Sequence, residues 1–241
     1  NNPQTWSPEF PNLYQAVFNL LDKNKQVIHR HTERIGFRTV EVRESDGIYL
    51  NGVKIKMQGV NRHTFHPKFG RTSSKDLSIM IARDVNHPSV IIWANGNEGG
   101  ENNSLNDDFA ELDIQQRIVI HPWQDYEMTN TLHYIDYDYL SLDGFSKRKI
   151  YFPTEFLHGL YDGGHGAGLD DYWLRMWNDP LCAGGFLWVF ADESVERTDG
   201  DNELDSDGNH APDGILGPYN EREGSFFTIK EIWAPIQFEK R

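Results

Sequence analysis

The stretch VIIWANGNEGGE, from Val90 to Glu101, decides how the rest of the chain is read. Val90 to Ala94 is apolar and rich in β-branched residues, as expected of a parallel strand covered on both faces. The run then breaks into Gly96, Asn97, Glu98, Gly99 and Gly100, so a single carboxylate sits where a buried strand ends. In a parallel barrel the loops after the strands form one face, and reacting groups come from the ends of several strands. Glu98 is therefore read as a side chain carried to a site by a rigid mount.

A second carboxylate has the same placing. KIYFPTEF ends at Phe156 with Glu155 at the tip of its own apolar run. Two glutamates facing one cleft suit glycoside hydrolysis, one as proton donor and one as nucleophile or base. Taken alone, either residue is more simply a salt-bridge partner or a cap. The pairing, among glycines, asparagines and aromatics, favours chemistry.

Outward from these two points, strands and helices alternate, which argues for a parallel β/α architecture. The spacing predicts strands over 58–63, 90–96, 117–121, 131–137, 150–155 and 184–190. It also predicts a helix from about Ser104 with Leu105, Phe109 and Leu112 on one face. A second helix carries Leu169, Tyr172, Trp173, Met176 and Trp177 at i, i+3, i+4, i+7 and i+8, with Pro180 beyond its last turn. Asn51-Gly52, inside IYLNGVKIKM, is the two-residue hairpin signal. Residues 12–42 read as two long strands that cannot be stable as a pair, hence as the end of a sandwich. The segment from Asp199 to Gly214, rich in Asp, Gly and Asn, reads as a surface loop. Its ELDSDG departs from a calcium loop, because Gly214 stands where a bidentate glutamate is required.

The chain has 241 residues, enough for a sizeable core, and 13% of them are aromatic. The formal charge of −14 disfavours nucleic acid and anionic membrane surfaces, and no segment approaches the roughly 20 apolar residues of a membrane span. The sequence reads as soluble, with a neutral partner and room for a homo-oligomer. Cys182, the one cysteine, excludes an internal disulfide and leaves a bacterial periplasmic or cytoplasmic setting equally open.

Four motifs carry a family resemblance: NHPSVIIWANGNEGG, GVNRHTFHP, PTEFLHG and GGFLW. Together they resemble glycoside hydrolase family 2, the family of bacterial β-galactosidases and β-glucuronidases. The resemblance implies a TIM-type (β/α)8 barrel over residues 43–241, preceded by the last strands of an immunoglobulin-like β-sandwich over 1–42. It implies Glu98 as general acid/base, Glu155 as nucleophile, and a double displacement with net retention. Glu98 is then expected to be kept protonated by burial and by the charge of Glu155, and Glu155 to be kept ionised by hydrogen bonds. Asn97 would bond the sugar 2-hydroxyl, His66 line the sugar site, Tyr134 support the nucleophile, His158 face the sugar and Trp188 lie under its ring. The implied substrate is a neutral oligosaccharide or polysaccharide-derived β-glycoside, most simply a β-galactoside, with β-glucuronide and β-mannoside as alternatives.

The chain departs from the family in one place. SSKDLSIM, ending at Met80, runs directly into IARDVNHPSV, so strands two and three have no counterpart. With them go the family's Arg before Ser-His-Tyr-Pro and the acidic strand end used for magnesium. Magnesium is left open by resemblance, its ligands are not identifiable, and no metal is expected from the residues present. Six strands do not obviously close a barrel. Either the natural protein carries a segment between Met80 and Ile81 that this chain lacks, or the barrel is abridged. The first reading is preferred, because the junction falls at equivalent places in two helices. The second would leave a carbohydrate-binding relic without catalysis.

Overall fold

The structure, a computed structural model, describes residues 2–62, 65–68, 70–71, 77–140, 149–159, 166–208 and 210–237. It opens with a ribbon of β1 (Tyr14–Leu21) and β2 (Val27–Ile35), paired antiparallel with each other alone. Val17, Phe18, Leu20 and Ile28 are exposed on it, so the described residues show a ribbon here and no sandwich. Next come β3 (Val40–Arg43), β4 (Gly47–Leu50) and β5 (Val53–Ile55), a three-stranded antiparallel sheet. Its hairpin turns at Asn51-Gly52, where both residues take positive φ, +51° and +77°, as the primed two-residue turn demands. β3 spans the expected boundary at residue 42 and pairs along its whole length with β4.

The barrel strands follow. They are β6 (Met57–Val60), a short ribbon of β7 (Phe65–His66) and β8 (Gly70–Arg71), α1 (Leu77–Asp84) and β9 (Trp93–Ala94). After a turn of 3-10 helix come α2 (Asn106–Leu112), β10 (Val119–Ile120), β11 (Asp125–Tyr126), β12 (Thr129–Asn130) and α3 (Tyr137–Leu140). β13 (Ile150–Tyr151), β14 (Phe156–His158), α4 (Leu169–Asn178), β15 (Gly184–Trp188), β16 (Val195–Glu196), β17 (Leu204–Asp205) and α5 (Gly224–Ile232) complete the order. Parallel ladders join β9 to β10, β12 to β13, β14 to β15 and β15 to β6.

The expected barrel is not closed. Among the described residues no ladder joins β6 to β9, the two strands that would flank the absent pair. The junction at Met80–Ile81 lies inside the single helix α1, and Ile81 is buried with Trp93 and Phe109. One short helix thus stands where three helices and two strands were expected.

Two layers of packing hold the strands. Ile92, Ile118, Ile120, Ile150, Phe152, Ala183, Phe186 and Met57 turn inward to one cluster, which Ile48 and Ile55 of the hairpin cover. Ile48 is fully buried, so truncating it would open a cavity costing about 2–5 kcal/mol. Outside, Tyr151, Phe156 and Leu187 pack under Leu169, Trp173 and Met176 of α4. Trp177 and Leu112, expected on buried faces, are exposed instead, since each sits at the end of a short helix. The strand expected over 131–137 lies earlier, at Thr129–Asn130, and Tyr137 already begins α3. The segment read as a surface loop ends buried, at Asp213 and Gly214.

Candidate active site

Glu98 is held by a tight turn that requires glycine at position 96. Gly96 has φ +79°, and a Cβ there would meet the backbone nitrogen of Glu101 at 2.4 Å. Glu98 and Gly99 also take positive φ, and the Gly100 N–H closes the turn on the Asn97 carbonyl at 2.8 Å. Beneath it the Asn95 amide donates to the Asn102 carbonyl at 2.9 Å and to Asn106 Oδ1 at 2.8 Å. This network, with the Asn95 side chain buried at its centre, fixes the loop to α2.

Glu155 follows β13 and stands across from Glu98. Tyr134 donates its hydroxyl to Glu155 Oε2 at 3.0 Å, and its own N–H to the Glu155 carbonyl at 3.0 Å. Between the glutamates stands His133, whose Nδ1 lies 3.0 Å from Glu98 Oε1 and 3.5 Å from Glu155 Oε2. The donor atoms of Glu98, His133 and Glu155 all lie within 4.8 Å of one another. Two carboxylates fifty-seven positions apart therefore converge on one imidazole.

The burial of the two is the reverse of expectation. The Glu98 side chain is 48% exposed and that of Glu155 only 8%. Desolvation pushes the Glu155 carboxyl above its usual range, while His133, the Tyr134 hydroxyl and Asn97 pull it down. Asn97, expected at the sugar, thus reaches Glu155 as well. Burial, with Glu155 beside it, pushes the Tyr134 hydroxyl far up, so it remains a donor.

The expected sugar wall is assembled in part. The His158 ring stacks on Tyr134 with centroids 4.8 Å apart. Trp188 donates its indole N–H to Asp213 Oδ2 at 2.9 Å, and the same oxygen is 3.8 Å from His158 Nε2. Burial raises the Asp213 carboxyl, against the opposing pull of His158 and Trp188. His66 lies in β7 opposite Gly70, and its side chain is outside the described residues.

His133, Asp213 and Trp123 are site residues that the sequence did not single out. Trp123 is 47% exposed and lies along the His133 ring, with centroids 6.3 Å apart. For magnesium the fit is poor: the ion prefers about six oxygens, and one donor of the only such cluster among the described residues is an imidazole nitrogen.

With this geometry in view, comparison with known proteins is consistent across sequence and fold. The family description "Glycosyl hydrolases family 2, TIM barrel domain" matches residues 72–210, and "Glycosyl hydrolases family 2" matches residues 1–38. A β-galactosidase of Priestia megaterium is 24% identical over 343 aligned positions, covering 98% of this chain and 32% of its own length. A β-galactosidase of Vibrio vulnificus is 24% identical over 289 positions, covering 82% and 27%. The chain spans less than a third of the length of the curated relatives it matches. An alignment of 343 positions against 241 residues leaves at least a hundred positions occupied in the Priestia protein alone. Among solved structures, a β-glucuronidase of Ruminococcus gnavus in complex with D-glucuronic acid superposes with a TM-score of 0.70 at 18% identity, over 96% of this chain and 58% of that one. A β-glucuronidase of Parabacteroides merdae gives 0.70 at 18%, over 98% and 43%. At these identities the structures speak for the fold.

Proposed function

The chain belongs to glycoside hydrolase family 2, and from that premise we propose a retaining exo-β-glycosidase that releases terminal β-D-galactosyl residues. The observation that carries the reading is the spacing of Glu98 and Glu155, whose facing donor atoms lie within 4.8 Å. Retaining enzymes keep their carboxyl groups about 5–5.5 Å apart, whereas inverting enzymes need about 6.5–9.5 Å to admit a water. Glu155 attacks the anomeric carbon while Glu98 protonates the departing oxygen. Glu98 then takes a proton from water, which releases the sugar with its configuration kept. Tyr134 and Asn97 favour the ionised form of Glu155 that the attack requires.

A neutral sugar is favoured over a uronide by Asp213, whose buried carboxylate faces His158 and holds Trp188. A second carboxylate brought to that wall would be repelled. The test is turnover of chromogenic β-galactoside, β-glucuronide and β-mannoside, followed by trapping with a 2-fluoro glycoside. The expected result is galactoside hydrolysis and a label on the peptide containing Glu155. A label elsewhere would refute the role of Glu155, and sugar binding with no turnover would leave the relic reading in its place.

A further inference from the structure

The double displacement gives no part to His133, yet its ring is 1% exposed and lies between the two reacting carboxylates. The hydrogen-bond chain behind it favours one tautomer. Thr154 donates its hydroxyl to the Thr131 carbonyl at 3.2 Å. A hydroxyl has one hydrogen, so toward His133 Nε2, 2.9 Å away, the same oxygen accepts. Nε2 is then the donor to Thr154, and Nδ1 faces Glu98 Oε1 at 3.0 Å. Glu98 itself is half exposed.

We propose that His133 is the positioning residue of the acid/base, sharing one proton with Glu98 across the Oε1–Nδ1 contact. This rests on the reading of Glu98 as acid/base. In glycosylation the pair's proton goes to the departing oxygen, which keeps the electrons of the broken C–O bond as Glu155 bonds to the anomeric carbon. Glu98 is left as carboxylate and Nδ1 bare. In the second half water gives a proton back to the pair, its oxygen attacks the anomeric carbon, and Glu155 leaves with the bonding electrons. The titratable groups facing His133 among the described residues are Glu98, Glu155 and the edge-on Tyr134 ring at 6.1 Å, with the Trp123 face covering the imidazole.

The test is the pH dependence of kcat/KM in His133→Asn, read on aryl β-galactosides with poor and good leaving groups. The alkaline limb is expected to move to lower pH by about one unit or more, the coupling at which paired sites stop titrating singly. The loss near neutrality should be greater for the poor leaving group. Thr154→Val, which keeps the imidazole and frees its tautomer, should shift the limb the same way by less. An unmoved limb, or an equal loss on all leaving groups, overturns the proposal. A readout without turnover uses 15N-labelled histidine: Glu98→Gln should change the Nδ1 signal of His133 and spare Nε2. An unchanged Nδ1 signal overturns the pairing. Failure of the wild-type chain on every glycoside would instead sink the functional reading, while the Nδ1 signal still decides the pair.

Discussion

Tyr134 binds Glu155 twice, through its hydroxyl to Oε2 and through its backbone N–H to the carbonyl, each at 3.0 Å. The backbone contact sets where the residue sits, and the hydroxyl stabilises the charge. Tyr134→Phe should therefore leave the fold intact and remove one hydrogen bond to a charged group, about 1.5–3 kcal/mol or roughly 10- to 150-fold in rate. Because a donor to a carboxylate lowers its proton affinity, the acid limb of the rate profile should move to higher pH. Rates of 2-fluoro glycoside trapping at several pH values measure both, and an unchanged limb would remove Glu155 from the nucleophile role.

Glu98 is half exposed at the open side of the pair, where a leaving group would depart. Protonation matters most when that group is a poor one. Glu98→Ala is expected to cost about 10²- to 10⁴-fold with alkyl or sugar leaving groups, and far less with an activated aryl group. Steady-state rates across a leaving-group series check this. Equal losses throughout would speak against the acid role.

How much of this arrangement was legible before the fold is best seen at Glu98 and His133. The apolar run ending in glycines announced Glu98, because a buried strand that stops in residues of positive φ has to present its tip. His133 and Tyr134 are neighbours, and on a regular strand they would point to opposite faces. Tyr134 instead takes φ +45°, which breaks the alternation and turns both toward Glu155. Strand β12 was misplaced for a related reason. Thr129 and Asn130 are buried by hydrogen bonds rather than by apolar contact, with Thr129 Oγ1 donating to the Tyr126 carbonyl, so no hydrophobic pattern marks them. Asp213 sits in a stretch whose composition says loop, and composition carries no sign that one acid in it is buried.

Asp192 offers a test of the fold around that wall. Burial raises its carboxyl to about 6, against the pull of the Gly214 N–H, and the acids Glu223, Asp213 and Glu221 add to the rise. In the unfolded chain an aspartate titrates near ~3.9. Between those values the folded state holds a proton that the unfolded state has lost, so stability falls as pH rises through the window. Asp192→Asn keeps an oxygen for the Gly214 N–H, which lies 2.9 Å away, and removes the charge. It should stabilise by about 1–2 kcal/mol above pH 6 and by little near pH 4. Thermal unfolding at pH 4, 6 and 8 measures the difference, and a gain independent of pH would reject the cause.

Asp213 bears on the choice of sugar, since a galactoside presents a neutral hydroxymethyl group and a glucuronide a carboxylate. Its Oδ2 accepts from Trp188 and lies 3.8 Å from His158, so its charge stands at the wall the sugar would meet. Two like charges 4 Å apart near a protein surface cost up to ~4 kcal/mol, enough to exclude a uronide. Asp213→Asn keeps the acceptor for the indole, preserving the platform, and deletes the repulsion. The ratio of kcat/KM for galactoside over glucuronide should then fall about tenfold or more, the equivalent of about 1.4 kcal/mol. Should the ratio stay where it was while galactoside turnover persists, Asp213 does not face the sugar, and preference for a neutral substrate must come from elsewhere in the site.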